Sequence, residues 1–247
     1  MSISIVRGPR ILALLGIASV LLFAACGTST LSLSATEIIA KAKDATSKSL
    51  KDAKYSLNLT IDTTTSGAKV SVPATGNGII TANPSRTYSK VSLNLLGTTI
   101  DTEIITDGST SYTKNGGATV WTKSTGNSSS SSLFGATGNF LDISIQNPVL
   151  VGHTMINGVD TYHISGKVIT TPTAGSTTPD TTSEDLYIRT DNFYLDKISS
   201  VTTSTTSILP TGGAGSNTPT TLTITVQFSD WNKGTKIDLP PSDQVQG

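Results

Sequence analysis

The chain has 247 residues, with 17 basic and 17 acidic side chains and therefore no formal net charge. Charged residues make up 14% of it, against a typical value of about 25%. A neutral chain lacks the basic surface that binds nucleic acid, and aromatic residues, at 5%, are too few for platforms that stack on bases or sugars. The composition therefore argues against a nucleic-acid partner and is typical of a weakly charged, Thr/Ser-rich β-protein.

The N-terminus has the three parts of an export signal. Arg7 and Arg10 supply basic charge, an uncharged and mostly apolar run follows from Ile11 to Ala25, and Cys26 comes next. The run is shorter than the roughly 20 residues that a membrane-spanning helix requires. We therefore predict that residues 1–25 are a signal peptide.

The only cysteine of the chain, Cys26, follows this run directly. Its surroundings resemble the bacterial lipobox, in which small residues precede a cysteine that becomes the acylated first residue of the mature protein. Ala24, Ala25 and Gly27 fit that pattern, whereas Phe23 stands where Leu is usual. We predict lipidation at Cys26, with its acyl chains anchoring the protein to the extracellular or periplasmic side of a membrane. The alternative is an unmodified thiol after an ordinary signal peptide.

Residues 26–33 are small or polar apart from two leucines, and we expect them to form a lipidated tether that spans up to about 25 Å. A helix is predicted to begin at Ser34, because Ser34 and Glu37 have the spacing of a capping box. Ile38 starts a narrow stripe of small apolar residues on this helix. Such a stripe is suited to lying against a sheet.

Apolar and polar residues alternate along much of the remaining chain, first from Tyr55 to Asp62 and most clearly from Thr221 to Phe228. A period of two is typical of antiparallel strands that bury one face. Gly and Asn-rich breakers separate the alternating stretches. The residues that we select from the apolar faces of these strands are Leu57, Leu59, Val91, Leu93, Ile104, Ile224 and Val226.

Three stretches lack this alternation. Residues 132–147 combine spaced apolar residues with glycines and predict a short helix or two. Residues 171–183 and 210–219 are low-complexity Thr/Ser-rich sequences that cannot bury a core, and we predict mobile loops there. We assign residues 34–247, with these loops, to a single domain.

Three further stretches identify a resemblance: INGVDTYHISGKV (156–168), DLYIRTDNFYLDKI (185–198) and FSDWNKGTKIDLP (228–240). Together with the lipobox and the order of one helix followed by strands, they are similar to the LppX/LprAFG family of bacterial lipoproteins. That family resembles the lipoprotein carriers LolA and LolB in fold. The resemblance covers most of residues 34–240.

The resemblance implies an α+β fold, with a strongly curved antiparallel sheet that forms a half-open β-barrel and helices that cover its open side. It also implies an apolar cavity between the two layers for the acyl chains of a lipid or glycolipid. The seven apolar-face residues named above are then the candidates for lining this cavity. Alternation alone does not distinguish an empty cavity from a filled core, so a structural or surface-interaction lipoprotein without a lipid ligand remains the alternative.

The two histidines, His153 and His163, lie on either side of a predicted tight turn at Asn157-Gly158. A two-residue turn pairs His153 with Tyr162 and places His163 on the opposite face of the hairpin. The imidazoles then cannot share a metal ion, and we expect His153 to point inward and to bond a hydroxyl or backbone group.

No catalytic constellation is found in the sequence. It contains no G-x-S-x-G nucleophile elbow and no glycine-rich loop before a helix. Asp101 and Glu103 share a strand face opposite Ile100 and Ile104, as expected for a solvated face. Trp231 is expected to pack at a strand end. We therefore predict a binding protein of the cell envelope that acts as a lipid carrier or chaperone, without cofactor or metal and without enzymatic activity.

Overall fold

The computed structural model describes residues 33–65, 68–95, 97–126, 141, 143–169, 181–204 and 220–247. These residues form one α-helix, α1 (Ala35–Ser49), a 3₁₀ helix at Ser242–Gln244 and a sheet of twelve strands. The strands are β1 (Asp52–Thr65), β2 (Ala68–Ala82), β3 (Ser85–Leu95), β4 (Thr98–Asp107), β5 (Thr110–Asn115), β6 (Trp121–Thr125), β7 (Gln146–Ile156), β8 (Val159–Ile169), β9 (Thr181–Arg189), β10 (Leu195–Ser204), β11 (Thr220–Ser229) and β12 (Val245–Gln246).

The strand order is β12-β6-β5-β4-β3-β2-β1-β11-β10-β9-β8-β7. Neighbouring strands are antiparallel, except that β12 runs parallel to β6. The end strands of this order are β12 and β7, so the described sheet does not close into a barrel. The large antiparallel sheet is confirmed, whereas the prediction of several helices covering an open side is not, because the described residues contain the single α-helix α1.

Helix α1 begins where its capping box predicts. The Ser34 backbone N–H donates to Glu37 Oε2 at 2.8 Å, and the Glu37 backbone N–H donates to Ser34 Oγ at 3.3 Å. The hydrogen bond from the Ser34 backbone holds the pKa of Glu37 below its ordinary value. The apolar stripe is buried in the first half of the helix, at Ala35, Ile38, Ile39 and Ala42.

The predicted alternating stretches form β1, β3, β4 and β11, and their register defines two faces of the sheet. We call the face that contains Leu57 the inner face, because most of the buried strand residues belong to it. Tyr55, Leu57 and Leu59 pair with Phe228, Val226 and Ile224 and therefore share this face. The opposite face, which contains Ile105, is the outer face.

The central strands pack their inner face. Residues paired directly from strand to strand form a row across the sheet that we call the Leu57 row. Its members in β8–β11 and β1–β3 are buried or have no side chain. They are Ile164, Leu186, Ile198, Val226, Leu57, Gly76 and Val91.

A second core lies on the outer face of β3–β6. We call these four strands the wing. Ile105 and Trp121 are buried there against Ile237 of the C-terminal segment. The Arg86 guanidinium donates to the Ile237 carbonyl at 3.0 Å and pairs with Asp107 at 3.3 Å. The C-terminal segment therefore forms the cover of the wing, and it ends as β12 beside β6.

The C-terminal segment is also tied to the start of β1. Asp52, 2% exposed, accepts hydrogen bonds from the backbone N–H groups of Lys233, Gly234 and Thr235 at 2.9–3.1 Å. Burial acts to raise the pKa of Asp52, but these hydrogen bonds outweigh it and leave the pKa below its ordinary value.

The stretches without alternation are described only in part. Of the helix predicted at 132–147, residues 132–140 and 142 lie outside the described residues. Residues 143–145 are not helical, and 146–147 begin β7. The predicted loop 210–219 and most of 171–183 also lie outside the described residues. Residues 181–183 belong to β9, whose β-branched Thr residues extend the pairing with β8.

Candidate functional site

The register brings all seven apolar-face candidates to the inner face. Leu57 pairs with Val226 and Leu59 with Ile224. Across β2, Gly76 links Leu57 to Val91, and Ala74 links Leu59 to Leu93. Ile104 pairs with Ser89, on the inner face of β3.

Burial divides these seven residues into two groups. Leu57, Leu59, Val91 and Val226 are 2%, 3%, 2% and 0% exposed and are packed. Leu93, Ile104 and Ile224 are only partly buried. Ile100, the direct partner of Leu93 in β4, is 43% exposed. The inner face is therefore packed along the Leu57 row as far as Val91, and it is partly accessible at Leu93, Ile100 and Ile104 in the wing and at Ile224 in β11.

The partly accessible residues Ile100, Leu93 and Ile224 belong to one row of directly paired residues, which we call the Leu59 row and in which Ala74 and Leu59 are buried. It runs through directly paired residues from β4 to β8, in the order Ile100, Leu93, Ala74, Leu59, Ile224, Ser200, Glu184 and Gly166. At about 4.8 Å between strands, the path along the sheet from Ile100 to Glu184 is about 29 Å. The row is apolar from Ile100 to Ile224 and polar at Ser200 and Glu184.

The wing exposes its inner face because its packing lies on the other side. In β4, Ile105 is buried on the outer face, while its neighbour Ile104 is only partly buried on the inner face. Inner-face positions of β4 and β5 hold Thr102, Thr106 and Thr113 among the isoleucines. The inner face of the wing is thus an apolar and hydroxyl surface that the core of the wing does not need.

The inner face is almost free of charge. Among the register-paired residues of the described strands, its charged side chains are Glu184 and, at the β7–β8 turn, the pair His153 and Asp160. The lysines and arginines of these strands alternate to the outer face. No hydrogen bond or ion pair joins Glu184 to another described residue. Burial, with a smaller effect from the Asp185 charge, raises the pKa of Glu184 above its ordinary value.

Hydroxyl groups surround Glu184 on this face. Thr182 and Thr202 share a hydrogen bond of 2.7 Å between their hydroxyl oxygens, and Thr182 is 8% exposed. Ser200 is the direct cross-strand partner of Glu184. Further along, the Thr220 hydroxyl donates to Thr63 Oγ1 at 3.4 Å. The Glu184 end of the inner face is therefore polar but, apart from the carboxyl group, uncharged.

The predicted register of the histidine hairpin is confirmed: Ile156 pairs with Val159 and His153 with Tyr162. The expected environment of His153 is wrong. Its side chain is 55% exposed and its Nδ1 lies 3.2 Å from Asp160 Oδ2, since β7 is the end strand of the sheet and has no further strand beside it. His163 instead pairs with Asp185 on the outer face at 2.9 Å. The described residues contain no group of side chains that could hold a metal ion.

Other sequence expectations concern single residues. Asp101 and Glu103 lie on the outer face, where they pair in register with Ser92 and Lys90. Trp231 packs as expected at the end of β11, stacked on Tyr194 with ring centroids 4.7 Å apart. Cys26 lies outside the described residues, so its lipidation stays a prediction.

The outer-face core and Glu184 are not among the features predicted from the sequence, although local signals for both exist. Adjacent apolar pairs, Ile79-Ile80 and Ile104-Ile105, place apolar side chains on both faces of a strand, and Ile79 and Ile105 both belong to the outer core. The adjacent acids Glu184 and Asp185 must point to opposite faces of a strand. Since Leu186 continues the apolar face of β9, Glu184 has to share it.

No family model matches the chain, and no curated relative does. Several solved structures resemble it. The lipoprotein LppX of Mycobacterium tuberculosis is 17% identical, with a TM-score of 0.48 over 81% of this chain and 96% of that one. LprF from Mycobacterium bovis is 16% identical, with a TM-score of 0.45 over 84% and 96%. A LolA superfamily protein from Nitrosomonas europaea is 13% identical, with a TM-score of 0.31 over 85% and 96%.

These structures include the proteins that the sequence resemblance named. The predicted similarity to LppX/LprAFG lipoproteins and to the LolA-like fold is confirmed as a likeness, and at these identities the likeness concerns the fold alone. Separately, none of the helices in the described part of the chain has the length and apolarity needed to cross a membrane.

Proposed function

We propose that this protein is a membrane-anchored lipoprotein that holds the acyl chains of a lipid or glycolipid on the inner face of its sheet, as a carrier or chaperone of the cell envelope. The observation that supports it is the Leu59 row. Leu93, Ile100 and Ile224 are apolar members of this row that the fold leaves partly open, and the two residues between Leu93 and Ile224, Ala74 and Leu59, are apolar and buried. Their alignment in the uncharged part of this row makes them suited to contact an extended apolar ligand.

The energetics favour an acyl chain as the occupant. Each CH₂ group that leaves water gains about 0.8 kcal/mol, so a chain laid along the accessible row gains several kcal/mol without any polar contact. The sheet then replaces the bilayer as the environment of that chain. This is the physical requirement for carrying a lipid through the aqueous envelope.

The anchor in this proposal is Cys26. Its lipobox-like surroundings support acylation after removal of residues 1–25, and the tether at 26–33 would keep the domain close to the outer side of a membrane. In a Cys26→Ala variant we expect release from the membrane or an uncleaved precursor, measured by detergent partitioning. A variant that is processed and still partitions with the detergent phase would contradict the anchor.

The second candidate is a structural or surface-interaction lipoprotein with a filled core. The burial of Leu57, Leu59, Val91 and Val226, each at most 3% exposed, favours it for the centre of the sheet. This candidate gives the exposed side chain of Ile100 no role. The two candidates therefore differ in what contacts the inner face of the wing in the cell.

Photo-crosslinking in the full-length protein separates them. A diazirine-bearing amino acid replaces Leu93 on the inner face and, in a matched control, Asn94 on the outer face of the same strand. After illumination in a bacterium that processes lipoproteins, mass spectrometry of the β3 peptide is expected to find an acyl-lipid adduct at position 93 and none at 94. Equal adducts, or none at 93, would favour the filled-core candidate.

A further inference from the structure

The described charges of the sheet are distributed unevenly between its two faces. Lys90 and Glu103 pair on the outer face, as do Arg86 and Asp107, and the other strand lysines follow the same parity. Among the register-paired residues of the inner face, away from the exposed β7–β8 turn, Glu184 is the one charged residue; the buried acid Asp196 lies at the register shift between β9 and β10 and has no paired residue. A single carboxyl group on a face that is otherwise apolar and hydroxylic requires a reason.

Packing does not supply that reason. Glu184 has no hydrogen bond or ion pair to another described residue, although it is partly buried. Its partner across β8 is Gly166, where the side chain of Ile145 occupies the space that a Cβ atom would need. The Glu184 carboxyl group is thus partly removed from water without a bonding partner among the described residues, which costs stability unless another group bonds it.

Its position relative to the apolar row indicates what that group is. Ile224, Ser200 and Glu184 are successive members of the Leu59 row, on β11, β10 and β9. An acyl chain that covers Ile100, Leu93 and Ile224 has its end directed at Ser200 and Glu184. The polar end of the row is therefore the place of the lipid headgroup.

The chemistry of this end selects among headgroups. A carboxylate or phosphate that leaves water needs a cation or several N–H donors, and the described inner-face residues next to Glu184 offer only hydroxyl groups, from Thr182, Ser200 and Thr202. An anionic headgroup would also face the Glu184 carboxylate itself. A hydroxyl group on the ligand, by contrast, donates to the carboxyl oxygens and needs no counter-ion.

We propose that Glu184 is a specificity-determining residue that selects acyl lipids with an uncharged, hydroxyl-bearing headgroup and disfavours those that end in a carboxylate or phosphate. The inference rests on the proposed function, since it concerns the headgroup of a lipid on the same face. It adds the class of ligand and the residue that defines it.

The test compares two probes that share one chain. Full-length protein in phosphatidylcholine vesicles is offered, at pH 8, a diazirine-bearing fatty acid or the monoacylglycerol of the same fatty acid. Labelling of the β3 and β11 peptides is measured after illumination. In the wild type we expect at least about tenfold more labelling by the monoacylglycerol. Two like charges a few ångströms apart, in a site partly shielded from water, repel each other strongly enough to produce more than a tenfold difference in binding.

Two variants test the role of the carboxyl group. Glu184→Gln keeps its shape and hydrogen-bonding capacity but removes its charge, so fatty-acid labelling should rise and the preference should fall below about threefold. Asp185→Asn removes the neighbouring acid on the outer face and should keep the wild-type preference. A melting curve verifies that both variants are folded.

The outcomes separate the two proposals. If the wild type labels its inner-face peptides with both probes equally, or if Glu184→Gln keeps the tenfold preference, the role of Glu184 is wrong and lipid binding stands. If neither probe labels these peptides in the wild type, the proposed function fails and the headgroup inference fails with it.

Discussion

The centre and the wing of the sheet place their cores on opposite faces. At the centre, Leu57 and Val226 are buried on the inner face. In the wing, Ile105 and Trp121 are buried on the outer face, beneath the C-terminal segment. The core therefore passes from one side of the sheet to the other between β1 and β4.

This difference separates the two roles that an apolar face can have. At the centre the inner face holds the fold together, whereas in the wing the outer face does so and the inner face is released from that task. Leu93 and Ile100 can then remain apolar and partly exposed without loss of the fold. A sheet that was packed on its inner face throughout would have no such surface.

The largest expected effect contrasts one leucine from each region. Leu57→Ala should lower the free energy of unfolding by about 3 kcal/mol, because it leaves a cavity in the packed row. Leu93→Ala should cost about 1 kcal/mol, since part of the Leu93 side chain already contacts solvent. Urea unfolding followed by tryptophan fluorescence measures both. Equal losses would mean that the wing packs its inner face as the centre does.

A second prediction concerns the attachment of the outer-face core. Asp52→Ala removes the acceptor of three backbone N–H groups at 233–235 and should lower the free energy of unfolding by about 2 kcal/mol. The loss is not larger because Lys233 and Gly234 are exposed and their N–H groups can bond to water instead. Faster hydrogen exchange in β5 and β6 should accompany it. The control Asp230→Asn removes an exposed ion pair with Lys54 and should change stability by less than about 0.5 kcal/mol. Unchanged exchange in the wing would contradict the attachment.

The same carboxylate makes a pH dependence that can be measured. The pKa of Asp52 in the folded protein lies below its value of about 3.9 in an unfolded chain. Its stabilisation is therefore complete above that unfolded value and is lost as the pH falls through the lower, folded value. Asp52→Ala should lack this part of the acid destabilisation, so the difference between wild type and variant should shrink below about pH 4.

Local signals in the sequence were sufficient for the elements and their faces. The Ser34–Glu37 spacing predicted the start of α1, and Asn157-Gly158 predicted the register of the β7–β8 hairpin. Both depend on residues that are close in the chain, where turn and cap geometry leave few alternatives. The alternation likewise placed seven residues on one face, since a period of two fixes the side but not the depth.

The burial of each side chain could not be predicted, because it depends on contacts between residues that are distant in the sequence. Ile237 covers Ile105 only once the C-terminal segment has crossed the outer face. The adjacent pair Ile104-Ile105 shows that β4 has apolar residues on both faces, but nothing near it indicates which face is packed or that Ile237 is the residue that covers it. The exposure of Ile100 is therefore a result of tertiary packing and not of local preference.

A third prediction enlarges one residue on each side of the comparison. Leu93→Trp should change the free energy of unfolding by less than about 1 kcal/mol, because the added ring can extend over the open face, whereas Val226→Trp should cost about 2 kcal/mol in the packed row. Leu93→Trp should also lower labelling by the monoacylglycerol probe. Asn94→Trp, on the outer face of the same strand, should leave labelling unchanged. A Leu93→Trp variant that is strongly destabilised would contradict the open wing.

The smallest expected effect concerns Glu184, the charged residue at the polar end of the Leu59 row. Burial raises the pKa of Glu184 above its unfolded value of about 4.3, so between these two values the folded protein binds more protons than the unfolded chain. Stability should therefore fall as the pH rises from about 4.3 through the folded pKa, and Glu184→Gln should remove that fall. The free energy of unfolding of the variant should match that of the wild type near pH 3.5 and exceed it slightly at pH 7–8, measured by urea unfolding across the range.

The matched control is Asp62→Asn, which replaces an acid on the outer face of β1 and should not reproduce the gain. A Glu184→Gln variant that is less stable than the wild type at pH 8 would mean that the carboxylate has a stabilising partner, and the open polar end of the row would have to be abandoned.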